Sequence, residues 1–216
     1  MTDFASRKAQ SNLSLRPETD NEPSRRQEIL DAAAHLFSTQ GFATTTIRQI
    51  AERSKIESGS LYYHFRSKNE LLQEIVTIAI TLTSDNVRAA IRVLPEDSPA
   101  RTRVETAILA HLRSLHEHIE YTSTNIRFKA QVPLAVQVQV QKMRHEYVDF
   151  WHHLLSEAEG EGAFSDDFNI SLLRSLILGM LNHTVEWYDS QRGNTNELFE
   201  HIKVMISGIW SRGTES

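Results

Sequence analysis

The run from Thr44 to Lys68, TTTIRQIAERSKIESGSLYYHFRSK, constrains this chain more than any other stretch, because it sets two short helical patterns and the start of a third around one abrupt polar break. Thr46 is placed to cap a helix whose apolar residues Ile47, Ile50 and Ala51 recur at helical spacing. Arg53, Ser54 and Lys55 interrupt that pattern, and a second short helix is expected from about Ser58 to Phe65. At about 100° per residue, Leu61 and Phe65 share one face with Ser58 nearby, while Gly59 and Tyr63 point the opposite way, flanked by Ser60, Tyr62 and His64. The outward face is polar and aromatic and carries no carboxylate.

The preceding segment, SRRQEILDAAAHLFSTQGF, supplies a third wall: Ile29, Ala33, Leu36 and Phe37 form an apolar stripe and Gly41 a stop signal. Three helices then enclose one small core and present the third outward. This arrangement suits a helix-turn-helix reader of duplex DNA, since a short exposed helix fits the major groove while its neighbour lies across the backbone. Gly59 removes a side chain where backbone approaches the duplex, Ser60 can bond base or phosphate, and Tyr62, Tyr63 and His64 supply ring contacts and phosphate donors.

From Ser24 to Leu72 the chain resembles the amino-terminal signature of the tetracycline-repressor (TetR) family of one-component transcriptional regulators. The residues that carry the resemblance are Gly41-Phe42, the three threonines 44–46, Ile47-Arg48-Gln49-Ile50-Ala51, the run GSLYYHF from Gly59 to Phe65, Ser67-Lys68 and Glu70-Leu71-Leu72, all in register. The resemblance implies that Thr45, Thr46, Tyr63, His64 and Lys68 hold phosphates, and that Arg48, Ser58, Gly59, Ser60 and Tyr62 sit at or near base edges. The family usually places Gly in the turn where this chain has Lys55, so a side chain must tolerate that backbone at some cost.

Abundant Leu, Ile, Ala, Glu and Arg with few Gly and Pro favour an all-α architecture over the 216 residues: a tail over 1–22, a three-helix head over 23–70, and a helical ligand-binding and dimerisation body over 71–216. The net charge of −5 argues against a nucleic-acid partner only until it is divided. Residues 24–70 hold seven Lys/Arg against five Asp/Glu, a local +2, whereas residues 71–216 hold thirteen against nineteen, a local −6. A mildly basic head on an acidic body is compatible with DNA binding. Absence of cysteine excludes disulfides and thiolate metal sites and fits a cytoplasmic setting. The best candidate for a membrane span, LLRSLILGML, is too short and carries Arg174. The first 22 residues are read as a disordered tail, with Arg7, Lys8 and Arg16 either solvated or forming a minor-groove arm.

Ser67 and Glu70 open a long helix that ends before Pro95; Pro99 and Pro133 introduce two more helices, with the short segment YTSTNIRFKAQ between them. The segment DFNISLLRSLILGMLNHTVEWY carries two apolar faces, Leu173, Ile177 and Met180 on one and Leu172, Leu176, Gly179 and Trp187 on the other. NELFEHIKVMISGIWSR shows a stripe of Leu198, Ile202, Met205, Ile206 and Ile209. Two such helices, packed on their copies, make a four-helix homodimer interface, and the two-fold so formed lets two heads read a palindrome. The family resemblance implies the same interface.

For the body, the mixed aromatic and polar set Arg127, Phe128, Tyr147, Trp151, His183, Trp187 and Tyr188 has the character of a small-molecule site. The run GSLYYHF and the late Glu186-Trp187-Tyr188 are similar to members that answer to acyl-CoA thioesters, so the expected effector is an acyl-CoA or another acidic, apolar metabolite. His145, Asp149 and His152 share a helical face but lack a fourth ligand, so no metal is assigned. No Gly-x-Ser-x-Gly elbow, glycine-rich phosphate loop or His-Glu-x-x-His helix is present, so neither an enzyme nor a cofactor is expected. The reading is a ligand-responsive repressor that binds a palindromic operator; an activator, or a helical scaffold that merely retains the head, is the alternative.

Overall fold

Five helices of the computed structural model start on a side chain that caps them. Ser24, Thr46, Ser67, Asn169 and Asn194 accept from the backbone N–H of Gln27, Gln49, Glu70, Leu172 and Asn196 at 2.8 to 3.3 Å. Pro99 and Pro133 begin two more, where a missing N–H costs nothing. The structure describes residues 24–127, 133–165, 168–189 and 193–211. These form α1 (Arg25–Gln40), α2 (Ile47–Arg53), α3 (Ser58–His64), α4 (Lys68–Arg92), α5 (Ala100–Glu117), α6 (Ile119–Arg127), α7 (Leu134–Gly160), α8 (Ile170–Trp187) and α9 (Thr195–Met205). The fold is all-α; among the described residues the one extended pairing is an isolated bridge between Phe164 and Trp210. The tail over 1–22 and Phe128 lie outside the described residues.

Two cores hold the helices. The first joins Ile29, Phe37, Ile50, Leu61 and Phe65 to Leu72 and Ile75 of α4, and it is completed by Val136 and Val140 of α7. The head core therefore does not stop at residue 70. The second gathers Val104, Ile108 and Leu112 of α5, Trp151 and Leu155 of α7, Ile177 and Leu181 of α8, and Phe199 and Ile202 of α9. At 27 residues, α7 is about 40 Å long and reaches both.

The expected continuation of the last helix to Arg212 is not seen. Helix α9 ends at Met205, and a 3₁₀ turn over Ser207–Ile209 brings Trp210 onto Phe164 at 5.4 Å between ring centroids. Ser165 N–H to Ile209 O and Ser211 N–H to Ala163 O, both 2.9 Å, close the chain end against the α7–α8 loop. Burial of the indole outweighs one more helical turn.

The predicted outer face of α8 is exposed, with Leu172 and Leu176 about three-fifths accessible and Gly179 open, while Leu173 and Ile177 are buried. The α9 stripe requires a correction. Leu198, Ile202 and Ile206 face the chain's own core, and Ile209 packs against it. Of the five interface candidates there, Met205 alone is exposed, beside Val204, which sequence reasoning passed over. Both helices pack on α5, which consumes the stripe that a second subunit was expected to cover.

Candidate nucleic-acid interface and interior cavity

The turn between α2 and α3 fixes the exposed helix. Ile56 N–H donates to Ala51 O at 3.0 Å and Lys55 N–H to Glu52 O at 3.2 Å, the paired bonds of a Schellman ending. Its left-handed position is filled by Lys55 at φ +56°, so the strain expected from the missing glycine is present. Helix α3, seven residues long, is anchored from below by Leu61 and Phe65, both essentially inaccessible. Phe65 is gripped further by Arg26, whose guanidinium lies 4.4 Å from the ring centroid and pairs with Glu74 of α4.

With those anchors inward, the opposite face is presented whole. Tyr63 is 91% exposed and Tyr62 55%, Gly59 and Ser60 are open to solvent, and Ser58 and His64 are half-buried at the helix ends. A Cβ at Gly59 would meet nothing within 4 Å, so nothing packed inside the chain requires a glycine there. Sequence reasoning missed Glu57, which precedes the helix, is exposed, and shares a shallow concavity with Gly59, Ser60, Tyr62 and Tyr63. Thr46 and Arg48 are exposed, but the Thr46 hydroxyl caps α2, accepting from Gln49 N–H at 3.2 Å and donating to Gln49 Oε1 at 2.9 Å, and the Arg48 guanidinium is paired with Glu52 at 2.8 Å.

Thr45 and Lys68 are used otherwise than the resemblance implies. Thr45 is 1% exposed, and its hydroxyl donates to Gly41 O at 2.8 Å, satisfying a carbonyl at the end of α1. The Lys68 ammonium donates to Phe42 O at 2.7 Å and Thr45 O at 2.8 Å, and lies 4.3 Å from the Phe42 ring centroid. Burial there pushes its pKa down. Both side chains hold the α1–α2 loop in place and have no free donor aimed at a phosphate.

Behind the head, α4 to α8 line a partly open cavity of about 220 Å³. Its walls are apolar, from Ile80, Leu115, Ile126, Val148 and Leu178, and its polar groups are Thr83, His111, Thr122, Asn125, Arg144, Tyr147 and Asn182. His111 stands between Tyr147 Oη at 2.7 Å from Nδ1 and Asn182 Oδ1 at 3.1 Å from Nε2. Nε2–H donating to the amide oxygen leaves Nδ1 to accept from the phenol, which satisfies the neutral imidazole. Burial lowers the His111 pKa to about 4 and raises that of Tyr147, so both are uncharged near neutrality.

Of the ligand candidates among the described residues, Tyr147 alone lines this cavity. Trp151 is fully buried beside it, edge-on to His111 at 6.0 Å, and acts as backing. Arg127 faces away from the cavity, donating to Val185 O and pairing with Glu186 at the end of α8. His183 and Trp187 are exposed, and Tyr188 packs on His116 at 5.2 Å. The polar–aromatic composition that nominated these residues is shared by a cavity wall and a helix terminus, and only packing separates them. Arg144 and Asn125, which do face the cavity, carried no such signal. His145 and Asp149 are exposed, and no group of three or more His, Cys, Asp or Glu that could hold a metal ion occurs among the described residues.

Helix α6 lies between cavity and head. Thr122, Asn125 and Ile126 face the cavity. Toward α1, Tyr121 donates to Asp31 and accepts from Gln27 at 2.8 Å, Glu120 meets His35 Nδ1 at 2.6 Å, and Thr124 reaches Ala34 O at 3.4 Å.

An all-helical body with an internal cavity, joined to a three-helix head that offers one short helix to solvent, defines a helix-turn-helix regulator. Residues 29–75 match the family model for bacterial regulatory proteins of the tetR family, and residues 97–203 match the tetracyclin repressor-like C-terminal domain. The chain belongs to the tetR family. It is 27% identical over 199 residues to the HTH-type transcriptional repressor KstR2 of Mycolicibacterium smegmatis, covering 90% of this chain and 96% of that one. The solved ketosteroid transcriptional regulator KstR2 of Mycobacterium tuberculosis superposes with a TM-score of 0.78 at 23% identity, over 88% of this chain and 97% of the other. AibR, solved in complex with isovaleryl coenzyme A and operator DNA, superposes with a TM-score of 0.77 at 18% identity, over 86% of this chain and 100% of the other, a likeness of fold alone. No helix among the described residues is long and apolar enough to cross a membrane.

Proposed function

We propose that this protein is a transcriptional repressor that binds a palindromic operator as a homodimer and releases it when a small effector fills the cavity between α4 and α8. The observation that carries the reading is the two-sidedness of α3, with Leu61 and Phe65 sealed in the core and Tyr63 91% exposed on the opposite face. A helix retained only for stability would not hold an aromatic ring in water. The outer faces of α8 and α9, with Leu172, Leu176, Val204 and Met205 in solvent, favour a second copy as their cover. Release follows from linkage: an effector that favours one placement of the heads weakens DNA binding by the same coupling free energy with which DNA weakens effector binding.

Fluorescence anisotropy with the DNA upstream of the protein's own gene tests this directly. Salt-dependent, saturable binding is expected. Tyr63→Ala should weaken it roughly tenfold or more, the worth of about 1.5 to 3 kcal/mol for a bond to a charged phosphate, with little change in salt slope because a neutral donor releases few counterions. Arg48→Ala should relax preference at particular base pairs. Unaltered affinity in Tyr63→Ala would remove α3 from the interface.

A further inference from the structure

The cavity holds one formal charge. Arg144 lines it, and the single bond that engages the guanidinium runs from Nη2 to Asn125 Oδ1 at 2.7 Å. Arg26, Arg48, Arg103 and Arg127 each meet a glutamate, whereas among the described residues no carboxylate pairs with Arg144. Its surroundings do not compensate. His111 and Tyr147 are neutral, the hydroxyls of Thr83 and Thr122 already donate to Ala79 O at 2.9 Å and Leu115 O at 2.7 Å, the Asn182 amide oxygen is taken by His111, and the remaining wall is aliphatic. Burial without a counter-charge disfavours the cation and lowers its pKa, which is the cost an anion arriving in the cavity would remove. Guanidinium offers five donors in a plane, and a carboxylate accepts two of them side by side.

Size narrows the choice. About 220 Å³ lies below the usual span for drug-sized ligands. Resting on the reading that this cavity is the effector site, we infer that the effector is a small free carboxylic acid: its carboxylate pairs with Arg144, and its hydrocarbon part lies against Ile80, Leu115, Ile126, Val148 and Leu178. In a coenzyme A conjugate the thioester no longer carries the carboxylate that Arg144 attracts. The same pairing supplies the signal. A carboxylate on Arg144 competes for the donor that now holds Asn125, and Asn125 sits on α6 beside Tyr121 and Thr124, which reach α1.

The test uses the full-length protein, with operator binding and calorimetric titration run in parallel. Probes are straight-chain carboxylates from butanoate to decanoate, their primary amides, and the matching coenzyme A thioesters. Carboxylates of intermediate length should bind and release the operator, with the amides at least tenfold weaker. Arg144→Gln should erase the difference between acid and amide, and Arg144→Lys should restore part of it. Equal binding of acid and amide by the unaltered protein, failure of every acid in the series, or release by the thioesters alone would overturn the inference, and these comparisons need no variant to fold. Absence of operator binding before any probe is added would instead sink the repressor reading, while release by a neutral compound would leave that reading standing and remove the anion.

Discussion

Acid should destabilise this protein through one buried imidazole, and the size of the effect follows from its two bonds. His111 is 2% exposed, and its folded-state pKa near 4 lies below the ordinary 6.5 because burial disfavours the cation. Between those values the unfolded chain binds one proton that the folded chain does not, so stability rises with pH there and is lost as pH falls from about 6.5 toward about 4. Each unit costs about 1.4 kcal/mol, giving about 3 kcal/mol at the acid end, after which the loss levels off. His116, buried with Nε2 on Thr184 Oγ1 at 2.9 Å, has its pKa lowered by the same cause and adds a contribution of the same sign. Subtraction isolates His111: urea unfolding of the wild type and of His111→Gln, at fixed protein concentration, from about pH 7 to about pH 4.5. Glutamine cannot take a proton, so the gap between the two curves should close by about 2 to 2.5 kcal/mol over that range. Parallel curves would show that His111 is charged or solvated in the folded state, and the tautomer assigned to the Tyr147–His111–Asn182 chain would fall with it.

Lys55→Gly should stabilise the protein by about 0.5 to 1 kcal/mol, because relief of the left-handed backbone at φ +56° exceeds the entropy glycine adds to the unfolded chain; a urea midpoint measures it. Lys68→Met should loosen the α1–α2 loop by about 1.5 to 3 kcal/mol and leave the salt slope of operator binding unchanged, whereas loss of a phosphate contact would flatten that slope by about 0.9. Leu176→Glu with Met205→Glu should yield folded monomers in sedimentation velocity, while Ile202→Glu, which buries a carboxylate at a position 3% exposed, should unfold the chain.

What could be read from the sequence divides by the kind of information a residue carries. Helix starts were legible because Thr46, Ser67 and Pro99 act locally, and so was the orientation of α3, since Leu61 and Phe65 repeat at a helical interval. The strained turn at Lys55 was equally plain, being a property of one residue's backbone. Thr45 and Lys68 were misjudged because their chemistry suits phosphate and backbone carbonyl alike, and the choice depends on a loop that brings residue 68 back to residue 42. The α9 stripe was correctly apolar and wrongly directed, since periodicity finds a buried face without saying which surface buries it. Arg144 left no trace, because the absence of a partner is visible only in three dimensions.

Helix α6 is where this division bears on the switch. Its nine residues, Ile119–Arg127, are shared between two neighbours: one side faces the cavity while the other bonds to α1. The attachments to α1 are polar: Tyr121 with Asp31 and Gln27, Glu120 with His35, and Thr124 with Ala34 O. Each such bond contributes about 0.5 to 1.5 kcal/mol, or up to about 3 where a charge takes part. A useful regulatory coupling is about 1 to 3 kcal/mol, a change of roughly 5- to 150-fold in affinity. One or two of these bonds, remade when α6 shifts, therefore suffice, and neither core needs to open. An apolar contact of the same energy would have to expose about 40 to 120 Å² at about 25 cal/mol per Å². Under the proposed function, a polar hinge on α6 would let a cavity as small as this one move the head while both cores stay closed.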